Sequence, residues 1–170
     1  MKNKKIFLSL GSSQGTKIRY VNSAIALLKK HNDIKFIKKS SYYLTEPVDI
    51  ESTGCFINNV IEIETNLDEI ELLRITQEIE KELGRTAKEK NMPRVIDIDI
   101  IAFGDRILET QNLTLPHPRM HKRLFVLDPL MQIKPGWKHP KLGKKISALK
   151  KEIKTNEKVI KLQTWSEFDE

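Results

Sequence analysis

Short apolar runs and amphipathic segments alternate along the chain and predict strands and helices. The run from Lys5 to Leu10 predicts a buried strand that ends at Gly11. Thr16 is a candidate helix cap, because apolar residues follow it at helical spacing from Ile18 to Leu28. The first predicted elements are therefore a strand and a helix.

The next segments predict two more strands and a second helix. Ile34 to Leu44 has strand-like composition, and Phe56 to Thr65 is another candidate strand. Asp68 and Glu71 have the spacing of a capping box at the start of a helix, which Gly84 then ends.

The last strand of the predicted sheet contains two acidic residues. Between Pro93 and Ile101, isoleucines alternate with Asp97 and Asp99, so both carboxylates point to one face of the strand. Gly104-Asp105 predicts a hairpin turn into Arg106 to Leu108. The order βαββαβ predicts an α+β fold, a ferredoxin-like sandwich with helices on one face of a mainly antiparallel sheet and the other face free for a site.

Shorter elements, with an extra hairpin among them, are predicted towards the C-terminal end. Arg123 to Ile133 predicts a helix that is broken near Pro129, Ile146 to Ile153 a short helix, and Val159-Ile160 a strand fragment. We expect a single domain over residues 1–170, with a loosely held tail from about residue 163.

Two carboxylates on an otherwise buried strand cost desolvation and repel each other unless positive charge neutralises them. An edge strand with a solvated polar face is the alternative explanation, and Asp97 and Asp99 by themselves do not decide between the two. Three cations, Arg85, Lys88 and Arg94, come shortly before the pair. Cations bind phosphate oxygens and carboxylates hold Mg²⁺, so the segment favours phosphoryl-type transfer from a Mg²⁺-bound polyphosphate.

Composition sets broader limits. The 30 lysines and arginines exceed the 23 acidic residues, which suits an anionic partner, either a polyphosphate or nucleic acid. The single cysteine, Cys55, cannot form an intramolecular disulfide, so we expect a cytoplasmic location. The apolar run after Lys5 is too short for a signal peptide, and no stretch reaches membrane length.

Two further features are ambiguous. The turn from Gly11 to Lys17 resembles a P-loop, but only three residues separate its glycines and Thr16 precedes the lysine, so we reject a Walker A site. His117 lies in a loop between two prolines, which would hold its ring rigidly as a hydrogen-bond donor to phosphate. A single histidine is weak support for a function.

Taken in order, these segments cover nearly the whole chain and resemble the 6-hydroxymethyl-7,8-dihydropterin pyrophosphokinases. The specific matches are Arg94 to Gly104 and His117 to Leu130, and shorter ones include Leu10-Gly11-Ser12 and Phe56-Ile57-Asn58. The resemblance implies a kinase of folate biosynthesis that moves diphosphate from ATP, its co-substrate, to a pterin hydroxymethyl group and releases AMP. It also implies two Mg²⁺ ions as cofactors.

The resemblance assigns roles to matching positions. Asp97 and Asp99 would hold the metal ions and, with Arg85 and Arg94, form the catalytic set. The residues that would bind ATP are Gln77, Glu80, Lys88, Ile100, Thr114, His117 and Arg123. The residues that would contact the pterin are Thr45, Pro47, Val48, Phe56, Asn58 and Phe125. In this scheme the two phenylalanines sandwich the ring, and the asparagine hydrogen-bonds its edge.

Two other functions share parts of the pattern. A nucleotidyl transferase of the polymerase-palm or cyclase type would keep the fold and the metal pair, but it leaves Phe56, Asn58 and Phe125 unexplained. An RNA-recognition sandwich fits the charge and topology, yet it needs aromatic residues where this chain has Ile-Asp-Ile-Asp. We therefore expect small-molecule substrates, a monomer, and neither nucleic acid nor a membrane as partner.

Overall fold

A computed structural model describes residues 4–46, 54–84 and 95–163 of the chain. The described elements, in chain order, are β1 (Lys4–Ser12), α1 (Lys17–Lys30), β2 (Ile34–Lys39), β3 (Tyr43–Thr45), β4 (Phe56–Thr65), α2 (Glu69–Glu82), β5 (Asp97–Phe103), β6 (Leu108–Glu109), β7 (Thr114–Leu115), a 3₁₀ turn (Met120–Lys122), α3 (Leu124–Ile133), α4 (Ile146–Glu152) and β8 (Val159–Lys161).

The main sheet is antiparallel, with β1 and β4 at its centre. Its strand order is β5-β1-β4-β3-β8, and β2 pairs with the other half of β4. The sequence predicted that β1 ends at Gly11, but the strand continues to Ser12, and Gly11 pairs with both Asn58 and Asp97. A glycine therefore lies between two functional candidates in the middle of the sheet.

The predicted strand from Ile34 to Leu44 is divided into β2 and β3. Between them, the Ser40 hydroxyl accepts a hydrogen bond from the Val60 amide at 3.0 Å and donates to the Ser41 carbonyl at 2.8 Å. A side chain that replaces a ladder hydrogen bond in this way interrupts a strand.

Helices cover both faces of the sheet, so the prediction that one face is free is wrong in part. On one face, Ile6, Leu8 and Leu10 of β1 pack with α1 and α2. On the other face, Phe7 of β1 and Val60 of β4 pack with α3 and α4. The apolar sequence of α3 requires this burial, because four of its aliphatic side chains are nearly inaccessible, namely Val126, Leu127, Leu130 and Ile133.

The helix ends agree only in part with the predicted caps. The capping box of α2 is formed, since Asp68 accepts from the Glu71 amide at 2.8 Å and Glu71 accepts from the Asp68 amide at 2.8 Å. Gly84 follows this helix with a φ of +100°. Thr16 is the residue before α1, but within the described ranges its side chain makes no capping hydrogen bond.

Two other local predictions are wrong. After the turn at Gly104, β6 pairs with β7 in a separate two-stranded sheet and not with β5. The helix α3 continues through Pro129 without a break. A proline removes one backbone hydrogen bond, and the burial of the surrounding apolar side chains offsets that loss. No helix in the described part of the chain is long and apolar enough to cross a membrane.

Candidate active site

The strand register places a row of candidate residues across one face of the sheet. Asp97 of β5 lies opposite Gly11 of β1, which lies opposite Asn58 of β4, which lies opposite Tyr43 of β3. Two strand spacings separate the Cα atoms of Asp97 and Asn58, a distance of about 10 Å. An acidic region and an amide-containing region therefore lie side by side.

The alternation predicted for β5 is confirmed. Ile96, Ile98 and Ile100 are 0%, 4% and 4% exposed in the core, whereas Asp97 and Asp99 point to the opposite face and are partly exposed. The carboxylates are therefore accessible from the same face as Asn58.

A cleft with a volume of about 420 Å³ lies beside the acidic pair. Its walls come from α2, β5 and the segment that leads through β7 to His117. The predicted site residues that line it are Gln77, Glu80, Asp97, Asp99, Ile100, Thr114 and His117. The structure thus brings most of the described residues of the predicted nucleotide set to one cleft.

His117 is fixed by its backbone and by its ring. Its amide donates to the Ile101 carbonyl at 2.9 Å, which ties the loop to β5. The ring Nδ1 accepts from the Arg119 amide at 3.1 Å, so the proton of the neutral ring is on Nε2. Burial, together with the nearby charges of Arg123 and Arg119, lowers the pKa of His117 to about 4. At neutral pH the residue is an uncharged donor in a cationic surrounding.

Arg123 does not line the cleft, but it lies close to the acidic pair. Its pKa is lowered mainly by burial, and the carboxylates of Asp99 and Asp97 act in the opposite direction. Its guanidinium carbon lies 5.4 Å from the centroid of the Phe125 ring. The residue thus contacts an aromatic ring on α3 and remains charged, with carboxylates nearby.

The second region contains the described residues of the predicted pterin set. Asn58 is 5% exposed, and its Nδ2 donates to Thr45 Oγ1 at 3.0 Å. Phe56, on the same face of β4, keeps 36% of its surface exposed. Phe125 is partly buried in the first turn of α3, against the apolar cluster that contains Val60. An exposed aromatic ring beside a held amide suits a flat polar ligand.

Helix α3 is tied to the edge of this region by Gln132. Its Oε1 accepts from the Ser41 amide at 3.0 Å and from the Tyr43 hydroxyl at 2.9 Å. Strand β8 covers the outer edge of β3, and the Glu46 amide donates to the Lys158 carbonyl at 3.1 Å. Sequence reasoning missed these supports, because they join segments far apart in the chain.

Sequence reasoning also missed residues near the cleft and near Arg123. Gln111 and Leu113 line the cleft, and Arg119 contributes to the charge around His117. Glu157 is the missed residue near Arg123. Burial raises the pKa of Glu157, and the positive charge of Arg123 opposes that rise. Only Arg119 carried a sequence signal, since it ends the segment Pro116-His117-Pro118-Arg119.

Five predicted site residues lie outside the described residues. They are Pro47, Val48, Arg85, Lys88 and Arg94. The roles assigned to them stay predictions.

The donor set fits a cation that arrives with a ligand. Within the described ranges, no group of three or more His, Cys, Asp and Glu side chains is arranged to hold a metal ion. Mg²⁺ commonly takes one or two carboxylates and completes its coordination with water and substrate phosphates. Asp97 and Asp99 suit this mode of binding, in which water and substrate phosphates supply the remaining ligands.

Comparison with known proteins gives consistent results. The family model described as 7,8-dihydro-6-hydroxymethylpterin-pyrophosphokinase matches residues 7–135. A protein from Bacillus subtilis named 2-amino-4-hydroxy-6-hydroxymethyldihydropteridine pyrophosphokinase is 45% identical over 131 residues, which is 77% of this chain and 78% of that protein. A protein of the same name from Aquifex aeolicus is 37% identical over 147 residues, which is 86% of this chain and 91% of that protein.

Similarity in structure extends to a longer protein. The crystal structure of wild-type Plasmodium falciparum HPPK-DHPS matches with a TM-score of 0.69 at 16% identity. The match covers 89% of this chain and 45% of that chain. At this identity the likeness supports the fold: a mixed α/β structure with an antiparallel sheet.

Proposed function

The chain belongs to the 7,8-dihydro-6-hydroxymethylpterin-pyrophosphokinase family, and we propose that it transfers diphosphate from ATP to 6-hydroxymethyl-7,8-dihydropterin in folate biosynthesis. The pterin hydroxyl attacks the β-phosphorus, and AMP leaves. The observation that carries the proposal is the row across the sheet, which places Asp97 about two strand spacings from Asn58. A polyphosphate at the first residue and a flat heterocycle at the second would meet between them.

The acidic pair would hold Mg²⁺ with the phosphate chain. Asp97 and Asp99 would bind two Mg²⁺ ions, which would neutralise charge on the phosphate oxygens during an in-line displacement. Their position on a strand of the main sheet gives the carboxylates a rigid backbone. Catalysis would depend on positioning and electrostatic stabilisation, without a covalent intermediate.

Donors on the other side of the cleft would hold the phosphates. In the cleft, the Nε2–H of neutral His117 would donate to a phosphate oxygen. Arg123 lies outside the lining of the cleft but close to Asp99 and Asp97, and it would contribute a permanent charge there. Arg85, Lys88 and Arg94 would add cations from the segment outside the described residues. We assign the catalytic role to Arg85 and Arg94 from the family resemblance alone.

The wall of the cleft between α2 and β7 would receive the nucleoside. Its predicted contacts are Gln77, Glu80, Ile100 and Thr114, which all line the same cavity. The pterin would stack between Phe56 and Phe125, and Asn58 would bind its polar edge. Thr45, the last residue of β3, and Pro47 and Val48, which follow it in the sequence, would add backbone contacts.

The remaining assignments follow from the same family. We propose a ferredoxin-like core, which the strand order β5-β1-β4 followed by β2 and β3 supports. We also propose a cytoplasmic monomer that acts on small molecules and binds neither nucleic acid nor a membrane.

The test is an incubation with ATP, Mg²⁺ and the dihydropterin, followed by separation of the nucleotides. AMP that forms only when the pterin is present would support diphosphate transfer. ADP in place of AMP would mean that a single phosphate moves, and it would overturn attack at the β-phosphorus. Asp99→Asn serves as the control, because contaminating kinases would not respond to this substitution.

A further inference from the structure

The side-chain amide of Asn58 is held between two residues on its neighbouring strands. On one side, its Nδ2 donates to Thr45 Oγ1 at 3.0 Å. On the other side, a Cβ atom built on Gly11 would lie 2.5 Å from Asn58 Oδ1. Real Cβ atoms do not approach an oxygen this closely, so the amide occupies space that only a glycine leaves open.

We propose that Gly11 and Thr45 are positioning residues, which together fix the Asn58 amide before the pterin binds. The inference rests on the proposed function, because it concerns the residue assigned to the pterin edge. Gly11 provides the space for Oδ1 in the direction of Asp97, and Thr45 holds Nδ2 from the opposite strand. Neither residue needs to touch the substrate through its side chain for this effect.

The conformation of Gly11 supports a role in packing and not in turning the chain. Gly11 lies inside β1, is paired on both sides, and is not among the described glycines with positive φ. A glycine inside a strand weakens it, and such a glycine often marks a place where another group approaches closely. Here the approaching group is the amide of Asn58.

The arrangement also determines which hydrogen-bonding groups remain for a ligand. Among the described residues, Thr45 uses one Nδ2 hydrogen, which leaves the other N–H and the Oδ1 lone pairs. The Cα–H of Gly11 faces Oδ1 and is compatible with an acceptor there. A fixed amide with one donor and one acceptor complements the adjacent N–H and C=O groups of a pterin ring.

The first variant is Gly11→Ala, whose added methyl group would push the amide away from its position. We expect the KM for the pterin to rise about tenfold or more, as for loss of one buried hydrogen bond. The KM for ATP should stay within about twofold, because α2, β5 and the segment from Gln111 to Pro118 line the cleft, and neither Gly11 nor Asn58 is among its described lining residues. Gly136→Ala is the matched control, since nothing lies within 4 Å of its Cβ position.

A double-mutant cycle separates positioning from general damage to the sheet. In an Asn58→Ala background there is no amide to displace, so Gly11→Ala should have little further effect on the pterin KM. Thr45→Val should also raise the pterin KM in the wild-type background and have little further effect in the Asn58→Ala background. Thr45→Ser should keep most of the wild-type affinity for the pterin, because it keeps the hydroxyl. Fully additive effects in the cycle would overturn the proposal.

A second readout does not depend on turnover. The Asn58 side-chain amide resonances can be assigned by comparison with Asn58→Ala, and they should shift in both Gly11→Ala and Thr45→Val in the absence of substrate. Unchanged resonances would overturn the positioning role even in an active enzyme. If the wild-type chain formed no pterin-dependent AMP, the proposed function would fail, and the resonances would still test whether the amide is held.

Discussion

Replacing Asn59 by alanine should stabilise the protein, whereas replacing its neighbour Asn58 by alanine should destabilise it. Asn59 faces the core opposite Leu10 and is 0% exposed. Within the described part of the chain, neither its Nδ2 nor its Oδ1 has a hydrogen-bond partner. Leaving a buried polar group without a partner costs about 1–3 kcal/mol.

The Asn59→Ala substitution removes that penalty and leaves a small cavity, which costs about 1 kcal/mol. The free energy of unfolding should therefore rise by about 1 kcal/mol, and for a chain of this size Tm should rise by about 2–4 °C. Asn58→Ala is the control, because it removes a hydrogen bond that is formed in the structure, with Thr45 at 3.0 Å. This control should lose about 1 kcal/mol of stability.

Urea denaturation followed by circular dichroism measures both changes, and steady-state kinetics shows whether the site is affected. Asn59→Ala should keep the KM values of the wild-type chain, because side chains alternate along β4 and Asn59 lies opposite Leu10, which packs in the core on the face away from Asn58. Destabilisation of Asn59→Ala by as much as Asn58→Ala would refute the reasoning. It would mean that the Asn59 amide forms hydrogen bonds that stabilise the fold.

Three other predictions test the site and the frame around it. Asp99→Asn should lower kcat by more than about 100-fold, as for loss of a positioned electrostatic group. Thermal unfolding should change little, because relief of the repulsion from Asp97 offsets the lost attraction to Arg123. Wild-type turnover would exclude a metal role. Folding lowers the pKa of His117 from 6.5 to about 4, so the unfolded chain binds a proton first as the pH falls. Stability should thus decline from about pH 6.5 to about pH 4, and urea titrations of His117→Asn should show a shallower decline; an equal slope would show that the ring is not buried. Asp68→Ala should cost about 1 kcal/mol without changing either KM, and Asp68→Asn should retain most of that stability, since both residues cap well; equal losses in the two variants would count against the cap.

The sequence by itself determined the features that depend on near neighbours. The alternation in β5 placed Asp97 and Asp99 on one face because side chains on a strand alternate with a period of two. The capping box at Asp68 was readable because its partner is three residues away. Motifs along the chain also indicated the family, because each of them is a short run of neighbouring residues.

Tertiary structure decided what depends on residues far apart in the chain. The register alone places Gly11 between Asp97 and Asn58, which no local pattern reveals. The packing of α3 onto β4 covers part of a face that was expected to be open. Burial of its apolar side chains also stabilises the helix on both sides of Pro129. Local periodicity reports the propensity of a segment, whereas pairing and burial depend on the competition among all segments for the same core.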